Sequence, residues 1–530
     1  MPETGPEAAG VADWIARQAA RWPDKTALRS DRGPLSYAEL AQHIEALAAA
    51  LQVQGIVRGS CVSWLGLNSA DMLATLFACA RLGATFMPLN WRLAPPEHRD
   101  MLRECPPALL FVDGAFAAAS AAQRIAPDDT RCVARGVVPR GWAGWDAFVE
   151  AGRAVATRAV AVDAEEPLLL CWTSGSTGTP KCVVLSHGAL EANADASVDM
   201  HGLTAQDRVL TTLPLFHVGG LNIQTLPALR AGCTVALHAK FDPDATFDSI
   251  ERGRITLTVL VPAQLDAMIA HPRWAGADFS KLRMIATGST LVPDRLIRAV
   301  HERSVPLIQV WGATETAPIA ACLHADEAVR KAGSAGRAAA GCELRIVDAE
   351  DRDVPQGTSG EVLVRGRCLM NGYWRDPQAT ARALAGGWFH SGDSGHLDAE
   401  GFLKIDGRLK DMIISGGENV SPAEVEGVLL DCPDIAEAAV VGRPDPRWGE
   451  AVVAVVAPRP GAKLTLERVM SQFEGRLARF KHPKAVLVVA NLPRTALGKV
   501  RKEDVRQLVA ERLGAATSAP PTPTPQERLV

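Results

Sequence analysis

Apolar runs alternate with helical patterns along most of the chain, and residues 255–318 give the clearest example. Short apolar runs bounded by turn residues predict strands, whereas apolar positions three and four residues apart predict helices. This alternation is typical of α/β architecture with mostly parallel sheets. The pattern predicts, in chain order, a strand, a helix, a strand, a helix and a strand at Ile255–Val261, Ala263–Ala270, Leu282–Ala286, Pro293–Arg303 and Val305–Val310.

Polar, glycine-bearing segments directly follow two of these predicted strands. The first is Thr287–Thr290 and the second is Trp311–Glu315. Ligands of open α/β sheets bind at the carboxyl ends of the strands. Both segments therefore lie where a binding site is expected.

The pattern changes after about Gly357, where strands of alternating polarity such as Glu361–Arg365 appear among turn-forming residues. We expect a large N-terminal domain over residues 1–408, an α+β C-terminal domain over 409–515 and a disordered, Pro-rich tail over 516–530. The C-terminal domain is predicted to contain helices at Pro422–Leu430 and Leu466–Arg479 and strands at Ala436–Val441, Ala451–Ala457 and Ala485–Val489.

Composition narrows the class of protein. Of 530 residues, 47% are hydrophobic and 22% are charged, which indicates a globular protein, and the net charge of -4 argues against a nucleic-acid partner. The 11 cysteines include no C-x-x-C pair, so we expect reduced thiols in a cytoplasmic protein and no zinc site. No signal peptide or integral membrane segment is predicted.

One loop carries the densest run of hydroxyl groups and glycines: Thr173, Ser174, Gly175, Ser176, Thr177, Gly178, Thr179, Pro180 and Lys181. Apolar runs on both sides predict two strands joined by this loop. Backbone N–H groups, hydroxyls and one ammonium suit a polyphosphate. The loop is not a Walker loop, because Pro180 precedes Lys181 and β-branched residues follow. By itself it is as readily a solvated hairpin.

The full string resembles the signature of adenylate-forming enzymes, the family of acyl-CoA synthetases, luciferases and peptide-synthetase adenylation domains. One departure is Cys182, where the family usually has Gly. Five further segments resemble family motifs in the same order, and the resemblance covers roughly residues 10 to 510. These segments are Leu213–Gly219, Val310–Glu315 (with Trp311 where Tyr is commoner), Trp388–Asp393, Gly407–Pro422 and Pro493–Lys499.

The resemblance implies a large multi-layer N-terminal domain and a small mobile C-terminal domain. It also implies two half-reactions: a small carboxylic acid reacts with ATP to give an acyl-adenylate and pyrophosphate, and CoA then takes the acyl group and releases AMP. ATP, Mg²⁺ and CoA are the implied co-substrates and cofactor. A homodimer is compatible with the sequence.

Site residues follow from the same motifs. Glu315 would bind Mg²⁺, Lys499 would bridge the substrate carboxylate and the α-phosphate, and Asp393 would accept hydrogen bonds from the ribose. The implied catalytic set is Lys499, Thr177, Glu315 and His217. The implied nucleotide-binding set is Thr173, Ser174, Gly175, Ser176, Thr177, Gly178, Thr179, Lys181, Gly288, Ser289, Trp311, Gly312, Ala313, Thr314, Asp393, Arg408 and Lys499.

The acyl pocket is expected to be mainly apolar. No Asp is available near its glycines to pair with an α-ammonium, so a fatty, alicyclic or aromatic acid is favoured over an amino acid. His217 is either a gate beside the acyl group or a packed histidine. The implied pocket residues are His217, Val218, Gly219, Gly220, Thr287 and Thr316.

Lys410 occupies the position of the family's hinge, where a backbone change accompanies the second half-reaction. Trp448 is equally well a platform for the CoA adenine or a core anchor. The implied CoA-binding residues are Ser415, Gly416, Gly417, Glu418, Arg443, Trp448 and Lys481.

Three functions remain open at this point. The first is an AMP-forming acyl-CoA synthetase. The second is an adenylating enzyme with another acceptor, such as a carrier protein, and CoA-dependent ATP consumption would separate the two. The third is a non-catalytic protein that binds acyl groups and nucleotides.

Overall fold

The computed structural model describes residues 10–158, 160–173, 180–288, 292–415, 418–494 and 499–514, and the predicted tail lies outside them. The chain divides into two compact units. The N-terminal unit comprises Met1–Ser391 and Gly395–Ile405, and the C-terminal unit comprises Gly392–Ser394 and Asp406–Val530.

The first large sheet of the N-terminal unit contains the predicted alternation of strands and helices. Its central strands are parallel, as predicted, and antiparallel pairs lie at both edges. The strand expected at Ile255–Val261 is shorter, at Leu257–Val259, because Pro262 already begins the next helix, where its missing N–H costs nothing. In spatial order the strands are Arg337–Ala338, Ala321–Cys322, Leu307–Trp311, Met284–Gly288, Leu257–Val259, Arg208–Thr211, Thr234–Leu237, Thr26–Ser30 and Gly33–Ser36.

The second large sheet is also mostly parallel. Its strands Cys61–Leu65 and Thr85–Leu89 are buried at every position. Burial on both faces explains why such strands are continuously apolar. In spatial order this sheet comprises Gly372–Tyr373, Lys181–Ser186, Pro167–Thr173, Thr85–Leu89, Cys61–Leu65, Leu109–Asp113, Arg131–Arg135 and Ala143–Gly144.

A smaller sheet contains the strands of alternating polarity expected after Gly357. Its order is Cys342–Val347, Gly360–Gly366, Phe389–Leu397 and Leu403–Arg408. Among the described residues, no helix is long and apolar enough to cross a membrane. The α-helices of the N-terminal unit are Trp14–Arg21, Tyr37–Val53, Ala70–Leu82, Pro95–Glu104, Gly114–Ala122, Trp145–Arg153, His187–His201, Val218–Gly220, Leu226–Arg230, Pro243–Gly253, Pro262–Ile269, Asp294–His301 and Pro377–Ala383.

The C-terminal unit is built on one sheet with a helix on each face. Val425 and Leu429 of Pro422–Leu430 pack in one core cluster, and Val505 and Val509 of Lys502–Leu513 pack in another. The strands are Glu418–Val420, Ile413–Ser415, Gly449–Pro458 and Ile435–Asp445, with Ala485–Val488 parallel to Gly449–Pro458.

The helix predicted at Leu466–Arg479 is wrong in its length. An α-helix covers Leu466–Met470 and continues only as a 3₁₀ turn at Ser471–Phe473. The backbone leaves the helical region at Glu474, with φ −63° and ψ 122°, and Gly475 follows in a left-handed conformation with φ +70°. The remaining fold prediction, a mixed α/β chain with a large N-terminal part and a small C-terminal part, is confirmed.

Candidate active site

The ends of two parallel strands approach each other so closely that only glycine fits. Gly288, at the end of Met284–Gly288, pairs in register with Val310. A Cβ atom on Gly288 would lie 2.4 Å from the Val310 carbonyl oxygen, and one on Gly312 would lie 1.9 Å from the Pro318 carbonyl oxygen. Two of the predicted nucleotide-binding glycines are therefore required by the backbone itself.

The segment after Gly312 forms one 3₁₀ turn, Thr314–Thr316, which carries Glu315. The hydroxyl of Thr316 accepts the Ala313 N–H at 2.9 Å and donates to the Ala313 carbonyl oxygen at 3.0 Å. Thr316 thus uses its hydroxyl to hold the turn. Its predicted contact with the acyl group would have to come from its methyl group.

Glu315 is connected to Lys181 through Tyr373, which the sequence analysis did not single out. The Tyr373 hydroxyl donates to Glu315 Oε1 at 2.8 Å, and Lys181 Nζ lies 4.6 Å from the centroid of the Tyr373 ring. Burial, followed by the negative charge of Glu315, raises the pKa of Tyr373 far above its ordinary value, so its hydroxyl remains a donor. This chain of contacts joins the cation at the end of the glycine loop to the predicted metal carboxylate.

The donor set fits Mg²⁺ that arrives with a nucleotide. Mg²⁺ is commonly held by one or two carboxylates together with phosphate oxygens. Tyr373 occupies Oε1 of Glu315, and a carboxylate has further acceptor capacity at its second oxygen. Within the described ranges, no group of three or more His, Cys, Asp or Glu side chains is placed to hold a metal ion without such a partner.

The glycine loop starts and ends at a paired position. Thr173 and Lys181 face each other across the antiparallel pair Pro167–Thr173 and Lys181–Ser186, and the Thr173 hydroxyl donates to the Lys181 carbonyl oxygen at 3.3 Å. Several predicted site residues lie outside the described residues: Ser174, Gly175, Ser176, Thr177, Gly178, Thr179, Ser289, Gly416 and Gly417.

A cavity is lined by two of the predicted acyl-pocket residues, Gly219 and Gly220. His217 is the N-cap of the helix Val218–Gly220, and its Nδ1 accepts the Gly219 N–H at 3.0 Å, so we assign the ring proton to Nε2. A Cβ on Gly219 would lie 3.2 Å from that nitrogen. His217 is half-buried, and it contacts the lining residue Gly219 through this hydrogen bond. The cavity is lined by Leu210, Thr211, Thr212, Leu213, Gly219, Gly220, Gln224, Thr225 and Val259.

Polar side chains at this cavity were missed by the sequence analysis. Gln224 is 2% exposed, and neither its Oε1 nor its Nε2 has a hydrogen-bond partner among the described residues. The buried hydroxyl of Thr212, on the same lining, is also unpaired within that part of the chain. So is the hydroxyl of Thr287, a predicted acyl-pocket residue that does not line this cavity. The signal in the sequence was slight, because Gln224 is one of several polar residues that alternate with apolar ones after Gly220.

In the C-terminal unit, two predicted nucleotide-binding residues are brought together. Arg408 Nε donates to Asp393 Oδ1 at 2.7 Å, with the Asp393 side chain 14% exposed and that of Arg408 50% exposed. Lys410, the predicted hinge residue, pairs with Glu503 at 3.3 Å. Lys499 is half-buried in the same unit.

The predicted CoA-binding residues have unequal surroundings. Trp448 is half-buried between two cations, with Arg447 Cζ 4.7 Å and Lys484 Nζ 5.2 Å from the ring centroid. Arg443 has a buried Nε with no partner among the described residues. Lys481 instead binds both carboxylate oxygens of Glu424, at 2.6 and 2.7 Å.

Ser415 and Glu418, the remaining described residues of the predicted CoA-binding set, face each other across an antiparallel pair of strands. Ser415 ends the strand Ile413–Ser415, and Glu418 begins the strand Glu418–Val420. Ser415 is buried, whereas Glu418 is exposed.

Comparisons with known proteins cover nearly the whole chain. The family model described as AMP-binding enzyme matches residues 15–374, and the model described as AMP-binding enzyme C-terminal domain matches residues 424–499. Indoleacetate–CoA ligase of Aromatoleum aromaticum is 59% identical over 95% of this chain and 98% of its own length. Feruloyl-CoA synthase of Amycolatopsis is 39% identical over 94% and 99%. The crystal structure of the anthranilate CoA ligase AuaEII with anthranoyl-AMP superimposes with a TM-score of 0.89, at 27% identity over 97% and 99%.

Proposed function

The chain belongs to the AMP-binding enzymes and is an ATP-dependent, AMP-forming acid–CoA ligase, and from this premise we propose that its acid is an arylacetic acid of the indole-3-acetate type. The observation that carries the proposal is the 59% identity, over 98% of the relative, to a protein named indoleacetate–CoA ligase. The small cavity lined by Gly219 and Gly220 supports the position of the acyl group, because both glycines belong to the predicted acyl pocket.

The reaction needs positive charge where two anions meet, since a carboxylate must attack the α-phosphorus of ATP. We assign Lys181 to the phosphates and Lys499 to the attacking carboxylate and the α-phosphate, as a compact ammonium on a flexible stem. Mg²⁺ bound through Glu315 would supply further charge against the phosphate oxygens. Tyr373 would keep that carboxylate in one orientation through its 2.8 Å hydrogen bond.

We assign the ribose of ATP to Asp393, which pairs with Arg408 in the C-terminal unit. Asp393 has two carboxylate oxygens that can accept from the ribose diol, and its Oδ1 also accepts from Arg408. Thr314 is assigned to a phosphate oxygen. Thr177 is assigned the same role by its motif alone.

The second half-reaction transfers the acyl group from the adenylate to the sulfur of CoA. The attacking thiolate forms the thioester bond, and AMP leaves with the electrons of the broken anhydride bond. We assign Trp448 to the CoA adenine and Arg443 to a CoA phosphate, since Arg443 retains an unpaired buried Nε among the described residues. We place the protein in the cytoplasm, where its thiols stay reduced.

The experiment is a pyrophosphate- and AMP-release assay over a panel of acids, with and without CoA. Indole-3-acetate, phenylacetate, ferulate, 2-succinylbenzoate and palmitate form the panel. We expect steady-state AMP formation with CoA, and the highest kcat/KM with an arylacetic acid. A higher kcat/KM with palmitate would refute the acid class. AMP formation that CoA does not accelerate would point instead to a carrier protein or another acceptor.

A further inference from the structure

Gln224 and Thr212 differ from the other polar side chains that line the cavity, Thr211 and Thr225, in having no hydrogen-bond partner among the described residues. Thr225, the neighbour of Gln224, is fully paired, because its hydroxyl donates to the Gly220 carbonyl oxygen at 2.6 Å and lies 2.7 Å from the Thr211 hydroxyl. Gln224 is equally buried, yet both of its amide atoms lack a partner among the described residues. The Thr212 hydroxyl, on the same lining, is unpaired within these ranges as well.

A buried, unpaired amide destabilises a fold, whereas leucine of similar size would fill the same space without that penalty. Nearly all buried polar groups in native proteins have partners, so an exception needs an explanation. Gln224 lines this cavity together with the predicted acyl-pocket residues Gly219 and Gly220. The cavity, at about 10 Å³, has room for one water molecule, and a polar group of the acid that displaces this water would supply the missing partner.

We propose that Gln224 determines specificity by accepting, at Oε1, a hydrogen bond from an N–H or O–H donor on the ring of the acid. This inference rests on the proposed function and adds a requirement to it: the ring must carry a donor at its buried end. An indole N–H donates and cannot accept, so it matches Oε1. Thr212 offers a hydroxyl that both donates and accepts as a second polar group on this lining.

Sites built to bind a polar group discriminate strongly against an analogue that lacks it, because the buried protein group is then left unpaired. The test compares indole-3-acetate with 1-benzofuran-3-acetate, in which oxygen replaces the N–H at nearly constant shape. We expect the wild-type enzyme to favour indole-3-acetate by about 10- to 100-fold in kcat/KM. The Gln224→Leu variant should bring this ratio close to one, mainly by losing activity on indole-3-acetate.

Thr225→Val is the matched control. It removes a polar atom from the same cavity lining at constant size, but that hydroxyl is already paired inside the protein. Its stability should fall while the ratio of the two acids stays at the wild-type value. A second readout needs no substrate: Gln224→Leu breaks no protein hydrogen bond, so the ligand-free melting temperature should equal or exceed that of the wild type.

The outcomes separate this inference from the proposed function. Equal kcat/KM for the two acids in the wild type, or a preference that survives in Gln224→Leu, would overturn the role of Gln224 and leave the arylacetic acid in place. No AMP from either acid would overturn the acid class and the inference with it. If Gln224→Leu is unstable, Gln224→Met, which has a similar side-chain volume, is used to repeat the comparison. A melting temperature lowered in both variants would show that the amide is paired in the protein and would overturn the inference.

Discussion

Gly219 and Gly220 are consecutive in the chain but have different surroundings, and replacing each by alanine tests how the cavity is built. A Cβ on Gly220 would lie 2.3 Å from the Pro214 carbonyl oxygen and 2.8 Å from that of Leu213. On Gly219 the nearest atom would be His217 Nδ1 at 3.2 Å, on a ring that can shift slightly.

The expected magnitudes follow from these contacts. Gly220 has φ −76° and ψ −34°, which alanine adopts readily, so the change of backbone entropy alone would favour alanine by about 0.5–1 kcal/mol. Overpacking costs about 1–3 kcal/mol, and the upper end applies because a backbone carbonyl cannot rotate away. Gly220→Ala should therefore lose about 2 kcal/mol of unfolding free energy. Gly219→Ala should change stability by less than about 1 kcal/mol.

The assay is thermal unfolding of both variants beside the wild type, followed by kcat/KM for indole-3-acetate and phenylacetate. Gly220→Ala should lower the melting temperature by several degrees. Gly219→Ala should leave it near the wild-type value and should lower kcat/KM more for the bicyclic acid than for phenylacetate, because the added methyl group narrows the cavity. Equal melting temperatures for the two variants would refute the close approach at Gly220. An unchanged preference between the acids in Gly219→Ala would refute the placement of the ring.

Three further predictions concern single side chains. Tyr373→Phe keeps the ring over Lys181 but removes the donor to Glu315, a charged hydrogen bond worth about 1.5–3 kcal/mol. The melting temperature should fall by a few degrees, and kcat/KM for MgATP should fall by about 10- to 100-fold; a change in kcat/KM under twofold would contradict this role. Lys499→Ala should lose orders of magnitude in adenylation, measured as pyrophosphate release, while thioester formation from supplied acyl-adenylate persists; near-normal adenylation would remove Lys499 from the mechanism. Arg443→Ala should raise the KM for CoA, whereas Lys481→Ala should leave it unchanged because Lys481 is already paired with Glu424. Equal effects of the two substitutions on this KM would contradict the distinction.

The sequence pattern correctly predicted those strands and helices that are marked by neighbouring residues along the chain. The strands on both sides of the glycine loop, the alternation over residues 255–318 and the helix Pro422–Leu430 were all visible as apolar periodicity with Gly or Pro at the ends. The error at Leu466–Arg479 arose because helical periodicity continues past Phe473, although Gly475 turns left-handed there.

Contacts between distant segments could not be predicted in this way. Tyr373 meets Glu315 only because a two-residue strand pairs with the strand after the glycine loop. The pairing of Lys481 with Glu424 likewise depends on tertiary packing, and motif matching alone assigned Lys481 to CoA. The unpaired amide of Gln224 becomes visible only when burial and hydrogen bonds are known together.

The short strand Gly372–Tyr373 makes the chemistry depend on a register as well as on motifs. Tyr373 pairs with Val183 and Gly372 with Val184, and a slip by one residue would turn the phenol to the opposite face of the sheet. A deletion in the turn that precedes this strand would then disable nucleotide activation while leaving every signature segment intact. Inactive relatives of this kind would contain all the motifs of the family. They would be recognised only by the number of residues between the positions of Gly366 and Tyr373.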